Sequence, residues 1–267
     1  MSFDLSPYAG FRLALDLDTL ELRTGDDITF KRTTRMAETL KSVLRSPDAV
    51  SPDAEMYHVF HLESSRGSVR NALERYNLTY GPVLLPPRRI DREFVKTHGH
   101  YHPSIPGATY GYPEVYTQLY GQLLLLLQKR DRSNPSTPAD CALLVMDPGV
   151  TITVPPNYAH VLINPTDEVA VMAGLYSLGF EPDYTEVRQH RGLAYYILDD
   201  NGAIRIEPNQ HYTAAPPLRR VEELSGTIFA PPEPGVPLWT SFVNDPSRYA
   251  FLAQPDAVRE YLKPFSP

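Results

Sequence analysis

The sequence predicts an all-β protein, a barrel or sandwich of short strands, and two observations predict it. From about residue 78 onward, short apolar runs recur between Pro, Gly and Asn, at the spacing of a many-stranded sheet structure. Proline is abundant, with 27 residues spread from end to end, which leaves little room for long helices.

The elements follow in order. One short N-terminal helix is expected, capped by Thr33 or Thr34, with Met36, Leu40, Val43 and Leu44 at helical spacing and Pro47 just beyond its end. The strand candidates are Leu78 to Leu85, Glu93 to Tyr101, Glu114 to Leu127, Cys141 to Met146, Val150 to Val154, Ala159 to Asn164 and Val169 to Tyr176. The runs Leu193 to Leu198 and Ala203 to Ile206 flank an Asp199-Asp-Asn-Gly202 turn, a hairpin signal. Ser64 to Ser68, Pro103 to Pro113 and Lys129 to Asp140 read as loops. The Pro-rich C-terminal stretch contains one helical candidate, Pro255 to Leu262. The expected division is an N-terminal segment over 1–77 packing on the barrel, the barrel over 78–212, and an extension over 213–267 that is no separate domain.

Composition bounds the function. Hydrophobic residues are 42% and charged residues 21% of 267, ordinary for a globular protein. The formal net charge of -7 gives no global attraction for nucleic acid or an anionic membrane, so any phosphate must be held by a local site. The single cysteine, Cys141, permits no disulfide within the chain and sits at the head of an apolar run, as core filler does. The N-terminus has no basic leader pattern, and the longest apolar run, Leu123 to Leu127, is far short of a membrane span. A cytoplasmic location is expected, with neither nucleic acid nor membrane as partner.

Three segments carry chemistry. Thr97-His-Gly-His-Tyr-His102 spaces His98, His100 and His102 two apart, so on a strand they share one face and two of them can reach one metal ion. Glu114 opens a strand after a Pro/Gly loop, and Tyr116 shares its face. In the third segment, a turn after Gly149 delivers His160 to the start of another strand. Imidazoles with one carboxylate suit a borderline divalent ion such as Fe, Mn, Ni or Zn. Four protein ligands on a barrel wall leave positions open for chemistry.

These blocks resemble the two cupin motifs, with Asn157 standing where the second motif usually has Gly. More narrowly, Lys96-Thr-His-Gly-His-Tyr-His102, Tyr112-Pro-Glu-Val-Tyr116 and the Pro-Pro-x-x-Ala-His ending at His160 resemble the cupin-type glucose-6-phosphate isomerases. The resemblance runs from about Tyr57 to Tyr212 and includes Tyr176 and Tyr184. It implies a cupin β-barrel (a double-stranded β-helix) and one divalent ion per chain, with iron the first expectation. It also implies the ligand set His100, His102, Glu114 and His160, leaving His98 beside the site. Glu114 would be the catalytic base, because the matched motifs hold no other carboxylate. Substrate contacts would come from Tyr57, Thr97, Gly99, Tyr116, Tyr176 and Tyr184. Lys96, Arg88, Arg89 and Arg92 are nearby charges that could assist or form a solvated face. The expected activity is interconversion of glucose 6-phosphate and fructose 6-phosphate, by a homodimer. The chain departs from the short archaeal forms in a longer gap between His102 and Glu114, in Pro182 where His is frequent, and in the tail beyond about residue 212. The alternatives are a mononuclear iron dioxygenase, since cupin dioxygenases use the same donors, and an isomerase of another sugar phosphate. A sugar-sensing or storage protein is less well matched, because the ligand set is intact and no helix-turn-helix is visible.

Overall fold

A computed structural model describes residues 1–25, 27–65 and 67–265; Arg66, inside the expected loop Ser64 to Ser68, lies outside them. Three short strands, β1 (Ser2–Asp4), β2 (Leu13–Asp16) and β3 (Glu21–Thr24), form an antiparallel N-terminal sheet, with helix α1 (Ser6–Ala9) between the first two. The chain then enters the main sheet through β4 (Thr29–Met36), leaves it for helix α2 (Ala37–Leu40), and returns as β5 (Glu55–Ser64). Helix α3 (Gly67–Tyr76) precedes β6 (Leu78–Leu85), and two very short strands follow, β7 (Arg89–Ile90) and β8 (Glu93–Phe94).

The next strands wind between two sheets. They are β9 (Glu114–Tyr120), β10 (Leu123–Lys129), β11 (Asp140–Met146), β12 (Thr151–Val154), β13 (Tyr158–Ile163) and β14 (Ala170–Ser177). β9, β12 and β14 join a six-stranded sheet ordered β12-β9-β14-β6-β5-β4, while β10, β11 and β13 form a four-stranded sheet with a later strand. This crossing between sheets is the winding of a cupin barrel. Helix α4 (Thr185–Gln189) leads into the hairpin of β15 (Tyr195–Asp200) and β16 (Ala203–Pro208). β17 (Leu218–Val221) then adds to the four-stranded sheet beside β11, and α5 (Leu238–Asn244) and α6 (Pro255–Leu262) end the chain. No helix among the described residues is long and apolar enough to cross a membrane.

Strand alternation gives the six-stranded sheet two different faces. A continuous rung, Gln118–Met172–Val83–Val59–Thr33, marks the inner one. Tyr57, Leu85, Tyr116 and Met172 pack there against Leu125, Leu127 and Leu162 of the opposing sheet. On the outer face, Phe60, Tyr80, Leu84, Val115 and Leu175 are covered by Leu5, Leu13, Leu238, Trp239 and Phe242 from the two ends of the chain. Each such fully buried Leu or Phe contributes about 1.5–3 kcal/mol.

Several elements differ from expectation. Thr33 and Thr34 cap no helix; they lie in β4, paired with Val59 and His58. β-branched Thr favours that pleated setting, and the helix that remains is confined to Ala37–Leu40 and a 3₁₀ turn at Lys41–Val43. The strand expected from Glu93 to Tyr101 ends at Phe94, and the histidine segment beyond is held by isolated bridges such as His100 to His160 and by separate hydrogen bonds such as that from the Thr97 amide to the Leu162 carbonyl. The run from Glu114 to Leu127 is two strands, with a turn between Tyr120 and Leu123. β4 and β5 on one side of the 78–212 interval and β17 on the other pair into the barrel sheets, so that division remains a proposal.

Candidate metal centre

Three imidazoles converge. His100, His102 and His160 each offer a ring nitrogen, and these atoms lie within 4.8 Å of one another. His160 arrives on β13 and bridges back to His100. His100 and His102 sit on the bridged segment after Gly99, whose φ of +76° is left-handed. A Cβ at Gly99 would stand 2.3 Å from Val161 Cγ2, so this close approach of the histidine segment to β13 requires glycine.

The nitrogens are aimed and unsatisfied. His102 Nδ1 donates to the Tyr112 carbonyl at 2.8 Å. A neutral His102 therefore presents the lone pair of Nε2, which lies 3.2 Å from His100 Nε2. His160 is buried and its Nε2 has no hydrogen-bond partner among the described residues. A buried polar atom left this way costs about 1–3 kcal/mol, and a cation at the point of convergence would satisfy it. Burial also holds all three imidazoles below their ordinary pKa, His102 down to about 4, which keeps them in the neutral, ligating form.

Glu114, at the start of β9, completes the group. Its Oε2 is 3.4 Å from His102 Nε2 and 3.7 Å from His160 Nε2. Burial pushes its carboxyl up to about 8, opposed by a hydrogen bond from Tyr116. A cation here would reverse that shift and favour the carboxylate. Gly174 on β14, paired with Tyr116 on β9, makes the room: a Cβ there would lie 2.8 Å from Glu114 Oε1 and 2.9 Å from the Tyr116 ring. The sequence held a signal for this residue, a lone glycine inside an apolar strand.

The other expected residues fall into two groups. Tyr57, Tyr116, Tyr176 and Tyr184 line the same region. Tyr116 packs edge-on to His160 at 5.6 Å, and the Tyr184 ring is 5.5 Å from His100. The Tyr57 hydroxyl accepts a long bond, 3.4 Å, from the His98 amide, and burial pushes its pKa up to about 12. Thr97 Oγ1 accepts from the Leu162 amide at 3.0 Å and so keeps its own hydrogen to donate. His98 stands beside the group, against Tyr184 at 4.6 Å. Three of the four basic residues near the motif are engaged elsewhere, while the buried Nε of Arg88 has no hydrogen-bond partner among the described residues. Lys96 is buried against Glu93 and the Val43 carbonyl. Arg89 pairs with Asp199 and Asp167, and Arg92 with Asp200. Those acids lie far along the chain, which is why the motif's neighbourhood did not reveal them.

The long loop after His102 is braced by the tail. Ile105 and Tyr112 pack on Val258 of α6, and the Tyr110 hydroxyl donates to the Pro255 carbonyl at 2.7 Å. Phe180 covers the other side, 4.2 Å from the His102 ring and stacked on Tyr112.

Fold and site together define a barrel of the cupin class whose histidine group could hold a metal ion. A family model for glucose-6-phosphate isomerase (GPI) matches residues 34–215, and the chain belongs to that family. Its relatives include the glucose-6-phosphate isomerase of Thermococcus litoralis, 26% identical over 195 residues that cover 71% of this chain and 92% of the relative. That of Pyrococcus abyssi is 26% identical over 160 residues, 60% of this chain and 74% of the relative. Among solved structures, recombinant oxalate oxidase in complex with glycolate overlaps 48% of this chain and 52% of its own at 17% identity, with a TM-score of 0.32, too remote to bear on function.

Proposed function

We propose that this protein interconverts glucose 6-phosphate and fructose 6-phosphate at a divalent ion held by His100, His102, Glu114 and His160. The observation that carries the reading is the convergence of three imidazole nitrogens and one buried carboxylate, in a chain of this family. The donor set suits a borderline ion, with iron first and Mn, Ni or Zn able to replace it. When bound, such an ion supplies a Lewis acid toward neighbouring carbonyl and hydroxyl oxygens of the sugar.

Glu114 takes the proton from one of the two reacting carbons and returns it to the other, while a second proton passes between their two oxygens. Its carboxyl stays ionised beside a bound ion, so Glu114 serves as ligand and base together or exchanges between the two roles, and Tyr116 holds it in place. Tyr57, Thr97, Gly99, Tyr176 and Tyr184 orient the sugar and its phosphate from the surrounding walls. A homodimer in the cytoplasm belongs to the same reading.

The test is a coupled assay of fructose 6-phosphate conversion. Chelator treatment should abolish turnover, and added Fe, Mn, Ni or Zn should restore part of it. Full turnover by protein shown metal-free by elemental analysis would sink the reading. Oxygen consumption without sugar-phosphate turnover would move it to the dioxygenases.

A further inference from the structure

The inner face of the six-stranded sheet does not end at the metal residues. Beyond Gly174 and its partner Gly81, it continues through Val83 and Val59 to the edge strand β4, where Arg35 stands directly opposite Tyr57. Arg35 is half-buried. Its charge reaches the Tyr57 hydroxyl and the His61 ring, so the guanidinium lies over this face.

The same strand provides a contrast. Arg32, on the outer face, is paired with Glu21 at 2.7 Å and lies 3.9 Å from Glu55. Arg35 has no carboxylate partner among the described residues. Between the two bulges that bound the β4–β5 pairing, its face carries Lys31, Thr33, Val59 and His61 and no acid at all. In a chain of net charge -7, an acid-free basic face is a local exception.

A second guanidinium approaches from the other wall. Arg188, on α4, lies over the Tyr184 ring at 5.0 Å, and its charge reaches His98. It too has no carboxylate partner among the described residues. Tyr57 and Tyr184 are within electrostatic reach of each other, so two unpaired arginines flank one pair of phenols beside the metal group. β5 lies three strand spacings from β9, roughly 14 Å of sheet at 4.7–4.9 Å each, a span that long inward-leaning side chains shorten. A ligand with an oxygen-rich head at one end and a dianion at the other fits that layout.

We propose that Arg35, assisted by Arg188, is the phosphate anchor of this site and sets its preference for phosphorylated sugars. The inference rests on the isomerase reading for the identity of the sugar, but not for the anion. Arginine suits the task because its planar fork pairs with phosphate oxygens in two parallel bonds. Neither residue lies in the metal motifs.

The experiment compares Arg35→Ala, Arg35→Lys and Arg188→Ala with the wild type. Metal-loaded protein is assayed for KM and kcat on fructose 6-phosphate, and inorganic phosphate binding is measured by calorimetry. Arg35→Ala should raise KM about tenfold or more, the loss of a bond to a charged group, with kcat changed by no more than about twofold. Phosphate affinity should fall in parallel. Arg35→Lys should recover part of both, which a purely structural role would not require, and Arg188→Ala should show a smaller effect of the same kind. Unchanged KM and unchanged phosphate affinity in Arg35→Ala would overturn the proposal, as would a wild type that binds no phosphate together with an unmoved KM. Wild-type protein that binds phosphate through Arg35 yet turns over no fructose 6-phosphate would leave the anchor standing and remove the isomerase reading.

Discussion

The two faces of the six-stranded sheet are built from the same strands and spend their residues differently. The outer face is apolar and covered, with Tyr80, Leu84, Val115 and Leu175 closed over by Trp239, Phe242 and Leu13. The inner face at the same strands carries Glu114, Tyr116, Tyr176 and two glycines, and borders imidazoles with unmet hydrogen-bonding capacity. Because side chains alternate, each strand serves both tasks at once. The outer face supplies cohesion, and the inner face can keep groups that cost stability in isolation: a buried carboxyl, an orphaned imidazole nitrogen, unpaired arginines. Stability and chemistry should therefore respond to mutation on opposite faces.

The largest effect is expected at Glu114. Glu114→Gln preserves shape and can still offer a carbonyl oxygen to an ion, but it removes the charge and nearly all basicity. If Glu114 moves the proton, kcat at saturating metal should stay low by about 10²–10⁴-fold. Recovery of near-full kcat once occupancy is complete would make Glu114 a ligand only, and would favour a hydride shift between the two carbons. Next comes Leu84→Ala on the outer face, where Leu84 is fully buried. Chemical denaturation should show a loss of about 2–5 kcal/mol, while kcat of the folded fraction changes by less than about twofold. A matching fall in kcat would show that the two faces are mechanically coupled and the division is false.

Much of this layout was legible in the sequence. β6 and β11 to β14 are bounded by turn residues and rich in buried apolar side chains, so their sequence marks them to within a residue or so. The convergence of His100, His102 and His160 was legible because these residues sit in short motifs whose spacing is itself chemical information. The helix α6 was marked by Pro255 at its first turn. What was missed depends on distant pairing. Arg35 comes opposite Tyr57 only because β4 pairs with β5 in one register, and the helical spacing of Met36, Leu40, Val43 and Leu44 masks that strand in the sequence. Lys96 is claimed by Glu93, three residues away in the chain, and Arg89 by Asp199, which only the fold brings near. Helix α3 carries Val69, Ala72, Leu73 and Tyr76 at helical spacing, a pattern that was present and obscured by the Gly67-Ser68 pair that opens it.

The smallest expected effect lies at the border of the two regions, and it tests the register of the site. Simple alternation treats His98, His100 and His102 alike, since all would share one strand face. The chain between them is not a strand: Gly99 is left-handed, and the next residue bridges to His160. His98 Nδ1 lies 3.1 Å from the Gly99 carbonyl and its ring turns toward Tyr184, whereas the Nε2 atoms of His100 and His102 meet at 3.2 Å. His98→Ala should therefore retain close to one equivalent of bound metal by elemental analysis, and its metal affinity should shift by less than about the 10-fold lower bound usual for lost outer-shell partners. His100→Ala and His102→Ala should each lose most of the ion under the same conditions. Their contrast with His98→Ala isolates geometry from composition, because all three variants remove one imidazole from the same short segment. If the three proteins lose metal equally, the bend at Gly99 does not divide the histidines, and the ligand set has to be redrawn to include His98.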